Sequence, residues 1–145
     1  MLPRWHIFWG AVLTAVLFFF IPDVGTLNLI LVFLSSFLID FDHYLNGVWK
    51  GKAWSLRKNF EYHKEIGKNE KKDLNKGIKR KGDFHLFHTV EFHLLVGLLG
   101  VLWIEFYYIF IGMVFHSLLD VIYLVKFGRM HRREYFFFNW LVRKI

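Results

Sequence analysis

The sequence predicts an all-α membrane protein, with four transmembrane helices in a bundle, a basic cytoplasmic loop and an interfacial C-terminal helix. Hydrophobic residues make up 55% of the 145 residues, and the mean hydropathy is +0.33 although the formal net charge is +7. The charges are separated from the apolar segments, since no Lys or Arg occurs between Arg4 and Lys50 or between Lys81 and Lys126. This pattern excludes a disordered chain and an ordinary soluble enzyme. The length favours a single domain, residues 1–145.

The four predicted spans are residues 5–21, 24–41, 84–103 and 106–126. The first span has 17 residues without a charged side chain. At about 1.5 Å per residue such a helix is roughly 25 Å long, near the lower limit for crossing a bilayer. A cleaved signal peptide would need small residues after the apolar run, whereas residues 18–21 are all bulky. We therefore expect a retained span.

Residues 44–83 are the basic loop and form the only long polar stretch. From Lys50 to Asp83 there are 12 Lys and Arg against 5 Asp and Glu. Recurrent Gly and Asn predict a loop with a broken helix near residues 59–67. We expect solvated charges, and beside a bilayer such a loop also attracts anionic headgroups, by about 1 kcal/mol per basic residue. Mixed charge and the lack of an aromatic platform over residues 65–83 argue against nucleic-acid binding.

The tail, residues 129–145, is basic and aromatic. Its residues Phe138, Leu141, Val142 and Ile145 follow the i, i+3, i+4, i+7 spacing of one helix face. This spacing predicts an amphipathic helix that lies in the membrane interface.

The distribution of charge predicts the orientation of the chain. Arg4, the loop and the tail lie on one side of a four-span topology, whereas the short turns between spans carry only Asp23 and Glu105. The positive-inside rule then places both termini and the loop in the cytoplasm. We expect a multi-pass protein of the cell membrane, inner or plasma.

Ionisable residues also occur within or at the ends of the spans, where they are costly and usually mark function. They are His6, Asp40, Asp42, His43, His85, His88, Glu91, His93, His116 and Asp120. Counted along helices, all of them fall in the cytoplasmic half of the membrane, roughly 0–15 Å below its surface. They can satisfy one another only if they face inward. Because the chain has no Cys, any metal must be held by His, Asp or Glu, a donor set that suits Zn²⁺ and also Mn²⁺ or Fe²⁺.

The spacing of these residues restricts which of them can share a site. His116 and Asp120 are separated by one helical turn and share a face. His88 and His93 are about 140° apart on an ideal helix, so they converge only if the helix starts or bends between them. Asp40 lies where a helix ends, and its direction relative to Asp42 is not fixed by the sequence. His85, His88 and Glu91 form a slanted stripe along one side of a helix.

Each residue also has a simpler explanation when it is taken alone. His6 and His85 could be interfacial hydrogen-bonding residues, and Asp40 or Asp42 could cap a helix or pair with a loop lysine. Glu91 could pair with a histidine, and His116 with Asp120 could be a buried pair without metal. The number of such residues at one depth favours a shared metal site. We expect solvated side chains for His63 and His131.

These motifs resemble the membrane-bound metal-dependent hydrolases, also described as LexA-binding, inner-membrane-associated hydrolases. That family combines an early His before a Gly, a hydrophobic run ending in D-x-D-H, an H-R-G-x-T-H-S block and a late G-x-x-x-H-x-x-x-D. The matching residues are His6 before Gly10; Asp40, Asp42 and His43 in LIDFDH; His88 and His93 in HTVEFH; and Gly112, His116 and Asp120 in GMVFHSLLD. Order and segment lengths agree from residue 1 to about residue 125.

The chain departs from the family pattern in the histidine block. Thr89, Val90 and Phe92 replace the Arg, the Gly and the Thr of that block. The metal-binding residue types are kept, whereas the Arg that would face a phosphate is missing. A loop residue such as Arg57 or Lys58 is a candidate to replace it. More distantly, the chain is similar to the zinc-dependent phospholipase C and single-strand nuclease fold, which implies a di- or trinuclear metal site and a phosphoester substrate.

Residues and resemblance together predict a metal-dependent hydrolase that acts at the cytoplasmic face on a phosphoester, with a lipid as the favoured substrate. The predicted metal ligands are His6, Asp40, Asp42, His43, His85, His88, His93, His116 and Asp120. They would hold two or three Zn²⁺ ions, and either Asp42 or Glu91 would accept the proton of the attacking water. The alternative is a non-catalytic membrane protein with a structural metal site or a lipid-binding or partner-binding role. A third possibility is a regulatory protein that binds its partner through the basic loop.

Overall fold

The structure is a computed structural model that describes residues 3–51 and 54–145. Within these two ranges the chain is all-helical and contains no strand. The α-helices are α1 (Pro3–Phe20), α2 (Thr26–Leu38), α3 (Phe41–Gly51), α4 (Leu56–Asn75), α5 (Val90–Leu102), α6 (Ile104–Lys126) and α7 (Phe137–Val142). Short 3₁₀ turns at Leu86–His88 and Met130–Arg132 precede α5 and α7.

Within the described ranges, three helical stretches are long and apolar enough to cross a membrane. They are α1 with 18 residues, the stretch Thr26–Gly51 with 26 residues and α6 with 23 residues. The predicted third span, residues 84–103, is helical only from Val90, because extended backbone and a 3₁₀ turn occupy its first part. The 13 residues of α5 are too few to cross a 30 Å hydrocarbon core as a helix.

Large hydrophobic side chains point outward and polar ones are buried, which is the arrangement expected of a protein surrounded by lipid. Phe20 is 81% exposed and Leu98 is 67% exposed. The fully buried side chains include those of His6, Ser36 and His116. The composition of the surface therefore agrees with a membrane protein.

Helix α2 lies between α1 and α6, and α5 packs against the other side of α6. Two glycines, one on α1 and one on α6, allow these helices to pack closely against α2. A methyl group on Gly10 would collide with the Ser36 side chain, and a methyl group on Gly112 would collide with Ser35 and with the backbone carbonyl of Val32. The helices are thus close enough for polar side chains to bond across the interfaces.

The segment predicted as a loop is mostly helical, so that prediction was wrong. Residues up to Gly51 complete α3, and α4 runs without a break through Gly67. Ser55 caps α4 by accepting the backbone N–H of Lys58 at 3.3 Å. Tertiary contacts also hold α4 in place, since Asn59 donates to the Tyr44 carbonyl at 2.9 Å. The helix-forming Lys and Glu residues outweigh the glycine at its centre.

The predicted amphipathic helix of residues 129–145 is shorter than expected. Only Phe137–Val142 is α-helical, and extended backbone with a 3₁₀ turn precedes it. Phe138 and Val142 are exposed, as an apolar face in a membrane interface requires.

Candidate metal centre

Two overlapping groups of His and Asp side chains lie at one end of the bundle. The four-residue group is Asp40, His88, His116 and Asp120, and the three-residue group is Asp42, His43 and His88. In each group, one ligand atom per residue lies within 4.8 Å of every other. The α2–α3 junction, α3, the turn before α5 and α6 contribute these residues, so segments far apart in the chain converge on one site.

The distances within the four-residue group match the ligand spacing of a zinc ion. His88 Nε2 is 3.2 Å from His116 Nε2, and Asp40 Oδ1 is 3.5 Å from the first and 3.4 Å from the second of these atoms. Asp120 Oδ2 is 3.5 Å from His116 Nε2 and 3.9 Å from His88 Nε2. Ligand atoms about 2.0–2.1 Å from a tetrahedral zinc ion lie roughly 3.3–3.4 Å from each other. These five distances are therefore close to the separation that one ion requires, and the ligand atoms of all four residues lie within 4.8 Å of one another.

Hydrogen bonds fix which nitrogen of each imidazole faces the group. His116 Nδ1 lies 2.8 Å from the Ser36 carbonyl, which can only accept, so Nδ1 is the donor. His88 Nδ1 lies 3.1 Å from Asp42 Oδ2, which also accepts the Phe87 N–H at 3.2 Å. In the neutral form, the Nε2 atoms of both rings therefore carry lone pairs that face each other.

Asp42 is placed to orient histidines. Its Oδ2 contacts His88 and the Phe87 N–H, and its Oδ1 lies 3.5 Å from His85 Nδ1. Asn46 donates to the Phe84 carbonyl at 2.6 Å and lies 3.1 Å from the same His85 nitrogen. A carboxylate that holds the second nitrogen of a metal-facing imidazole is the usual outer partner of a histidine ligand.

His43 lies on the open side of the site. Its Nε2 is 3.4 Å from Asp40 Oδ1, and its side chain is 35% exposed. Its ring lies against that of His85, with centroids 3.7 Å apart and the ring planes inclined at 43°. His63, which was expected to be solvated, lies 2.9 Å from the His43 carbonyl and is partly buried, so that expectation was wrong. A histidine of α4 thus supports the site, and its spacing from the other histidines gave no sign of this.

His6 completes the buried side of the site. Its ring stacks on His116 with centroids 3.7 Å apart, and its Nε2 is 3.2 Å from Asp120 Oδ1. The side chain is fully buried. The early histidine of α1 is therefore in contact with the four-residue group although it is not a member of it.

His93 and Glu91 lie outside both groups. His93 donates from Nδ1 to the Thr89 carbonyl at 2.9 Å, and its Nε2 accepts the Ser117 hydroxyl at 3.0 Å. Glu91 accepts the backbone N–H groups of Phe137 and Phe138 at 2.9 and 3.3 Å, at the start of α7. Glu91 thus holds the tail, and both nitrogens of His93 already have partners.

Arg133 is a member of the site that the sequence pattern did not indicate. Its Nη2 is 2.6 Å from Asp120 Oδ2, and its side chain is 12% exposed. The tail was expected to lie in the interface, and no local motif marks this residue. Of the two basic residues considered as replacements for the missing arginine, Arg57 pairs with Glu61 and is 89% exposed, and Lys58 is also exposed. Neither lies at the site.

Comparison of the chain with protein-family models, with curated proteins and with solved structures gave no match. The resemblance to membrane-bound metal-dependent hydrolases therefore stays a prediction from the motifs. What the structure establishes is an all-helical, membrane-like chain with buried Asp and His groups that could hold a metal ion.

Proposed function

We propose that the chain is a membrane-embedded, metal-dependent hydrolase that cleaves a phosphoester of a lipid at the cytoplasmic face. The observation that carries the proposal is the four-residue group, in which two imidazole nitrogens and two carboxylates face one point at the spacing of a zinc site. Zinc is the favoured ion, and manganese or iron fits the same donors.

The burial of the group supports a bound cation. Asp40 and Asp120 bring two carboxylates to the lone pairs of His88 and His116, in a site where Asp120 is 2% exposed. Arg133 balances one negative charge. A buried charge without compensation is expensive, particularly within a membrane. With the neighbouring Asp42 included, Arg133 leaves two negative charges, which a divalent ion would balance.

The open side of the site supports catalysis. A zinc ion held by these residues would lower the pKa of a bound water to about 7 and would polarise a phosphoryl oxygen. His43 is the imidazole placed to accept the proton of this water, because it borders Asp40 and is partly exposed. Asp42 holds His88 in position and Glu91 holds the tail, so the proton-accepting role predicted for these two carboxylates passes to His43 in this proposal.

Contacts between the basic segments support the proposed topology. Glu70 of α4 pairs with Arg129 and Arg132 of the tail at 3.4 and 2.8 Å. The loop and the tail are therefore on the same side of the bundle, as the positive-inside rule requires. Counted along the helices, the metal groups lie roughly 0–15 Å below the cytoplasmic surface, near the lipid headgroups, which is why a lipid is the favoured substrate.

Metal analysis and a hydrolysis screen test the proposal. The purified wild-type protein should contain about one to two equivalents of zinc per chain, and His116→Ala and Asp120→Ala should lose most of it. His131→Ala is the matched control, because His131 lies in the tail outside both groups, and it should keep its zinc. The zinc-loaded wild type should hydrolyse phosphoester lipids, and a loaded protein that hydrolyses no phosphoester would refute the proposed activity.

A structural metal site is the second candidate, because four protein ligands can close the coordination of one ion. Cobalt substitution separates the two candidates. If the site has an open position, inorganic phosphate should change the visible spectrum of the cobalt protein. A spectrum that phosphate leaves unchanged would favour the structural role.

A further inference from the structure

A cavity of about 510 Å³ lies next to the metal groups on their open side. Its walls come from α4, from residues 78–85 and from residues 129–133, and His43 and His85 line one end of it. The volume is within the range of small-molecule binding sites. A molecule in this cavity would have direct access to the three-residue group through His43.

The walls of the cavity carry more basic than acidic side chains. The Lys and Arg residues that line it are Arg80, Lys81, Arg129, Arg132 and Arg133, against the acidic residues Glu70, Asp73 and Asp83. Ion pairs hold the basic side chains in place, with Arg80 3.1 Å from Asp73 and Arg132 2.8 Å from Glu70. Their charges are therefore ordered before any ligand binds, which lowers the entropic cost of binding an anion.

Arg133 connects the cavity to the four-residue group. Its bond to Asp120 uses one of the five N–H donors of a guanidinium, and the same side chain lines the cavity. Guanidinium groups bind phosphate oxygens in pairs, with geometry that lysine does not offer. A phosphate beside Arg133 would have one end toward the metal groups and the other toward the basic wall.

We propose that this cavity binds the phosphate-bearing group of the substrate, with Arg133 as the residue that contacts the phosphate. The identification of this ligand as a substrate rests on the proposed function, whereas its binding does not. Phosphate recognition is shared by a lipid headgroup and by a soluble phosphate monoester, and the test separates these two sources.

The test measures binding, not turnover. Titration calorimetry on the detergent-purified protein, once stripped of metal and once loaded with zinc, would use glycerol 3-phosphate and short-chain phosphatidic acid as probes. Arg133→Gln should weaken binding of the probe by about tenfold or more, because a charge-assisted pair with the phosphate is lost. Arg57→Gln is the matched control, since Arg57 pairs with Glu61 away from the cavity, and it should bind as the wild type does.

A second pair of variants covers the case in which Arg133→Gln disturbs Asp120. Gly67 lines the cavity from α4, and a methyl group built on it meets no atom within 4 Å. Gly67→Glu adds a negative charge to the wall, and Glu is a better helix former than Gly within α4. It should weaken binding of the probes about tenfold while the zinc content stays unchanged. Gly67→Ala should bind the probes as the wild type does.

The outcomes distinguish this proposal from the proposed function. Binding of either probe that is weakened in the variants supports the cavity as a phosphate site. Binding of phosphatidic acid alone identifies a lipid source, and binding of glycerol 3-phosphate shows that a soluble phosphate monoester is sufficient. Binding of neither probe, or equal binding by Gly67→Glu, Arg133→Gln and the wild type, would overturn it even if the protein hydrolysed a phosphoester. If the variants weaken binding as expected but the protein hydrolyses no phosphoester, the cavity remains a phosphate site and the proposed enzymatic activity is refuted.

Discussion

The substitution Gly112→Ala tests whether helix packing sets the geometry of the metal centre. Gly112 lies on α6, one turn before His116, and faces α2. An added methyl group would collide with the Ser35 hydroxyl, which can rotate away, and with the Val32 carbonyl, which belongs to the helix backbone. The two helices would have to separate by about 1 Å to restore ordinary van der Waals contact.

This separation would act on the metal centre through Ser36. The His116 Nδ1 to Ser36 carbonyl distance is 2.8 Å, and a shift of about 1 Å would lengthen it beyond hydrogen-bond range. Loss of an outer partner of a histidine ligand typically costs 10- to 100-fold in metal affinity, or about 1.4–2.7 kcal/mol. The crowding itself should lower the free energy of unfolding by about 1–3 kcal/mol.

Competition with a chromophoric zinc chelator in detergent would measure the affinity. Gly97→Ala is the matched control, because its methyl group would lie 3.3 Å from the Phe110 ring, a side chain at the α5–α6 interface that can adjust. This control should change zinc affinity by less than about twofold. A Gly112→Ala protein with wild-type affinity, or an equal loss in Gly97→Ala, would refute the link between this helix contact and the site.

Three further substitutions separate the roles of the polar residues. Asp42→Asn should weaken zinc binding about tenfold, because Asp42 orients His88, and should leave the stoichiometry at saturating zinc unchanged. Complete loss of zinc would instead show that Asp42 is a ligand. His93→Gln should retain the full zinc content, since both nitrogens of His93 are bonded elsewhere, and elemental analysis showing loss of metal would contradict this. Glu91→Gln should destabilise the start of α7 by about 1 kcal/mol and make limited proteolysis of the tail faster, while the zinc content stays unchanged. An unchanged cleavage rate would count against the role of Glu91 in holding the start of α7.

That these polar residues meet at one level of the helices could be predicted from the sequence, because the rise of a helix is constant. Counting from the basic ends of the spans was enough to bring Asp40, His88, His116 and Asp120 to one level, and the structure places their ligand atoms within 4.8 Å. The direction in which a side chain points around its helix could be predicted only for residues of one regular helix. His116 and Asp120, which are one turn apart on α6, are such a pair.

The position of His93 shows where such reasoning fails. A helix begins at Val90, between His88 and His93, so His88 lies in a 3₁₀ turn with a different direction. Thr89 caps this helix by accepting the Phe92 N–H at 3.3 Å, and His93 then bonds back to the Thr89 carbonyl. A spacing of five residues did not show on which side of this cap each imidazole would point.

Contacts between distant segments were also beyond the sequence. Arg133 is 13 residues after Asp120 and reaches it because the chain turns back after α6 at Gly128, which has a positive φ of 64°. Charge composition marked the whole tail as basic and gave no reason to select one arginine. Similarly, α4 packs on α3 through Asn59, whereas a composition rich in Lys and Gly suggested a solvated loop with a broken helix near residues 59–67.

The shared position of His88 decides between the two groups as the primary metal site. Its Nε2 faces Asp40, His116 and Asp120, and its Nδ1 faces Asp42. A neutral imidazole has only one lone pair, so it cannot serve as a ligand on both sides at once. Asp42 is held by the Phe87 N–H and lies close to His85, and its carboxylate favours a proton on Nδ1 of His88. The lone pair of His88 Nε2 then points into the four-residue group. Of the three-residue group, only Asp42 and His43 then remain as donors, which makes the four-residue group the primary metal site and leaves the His43 imidazole available as a proton acceptor.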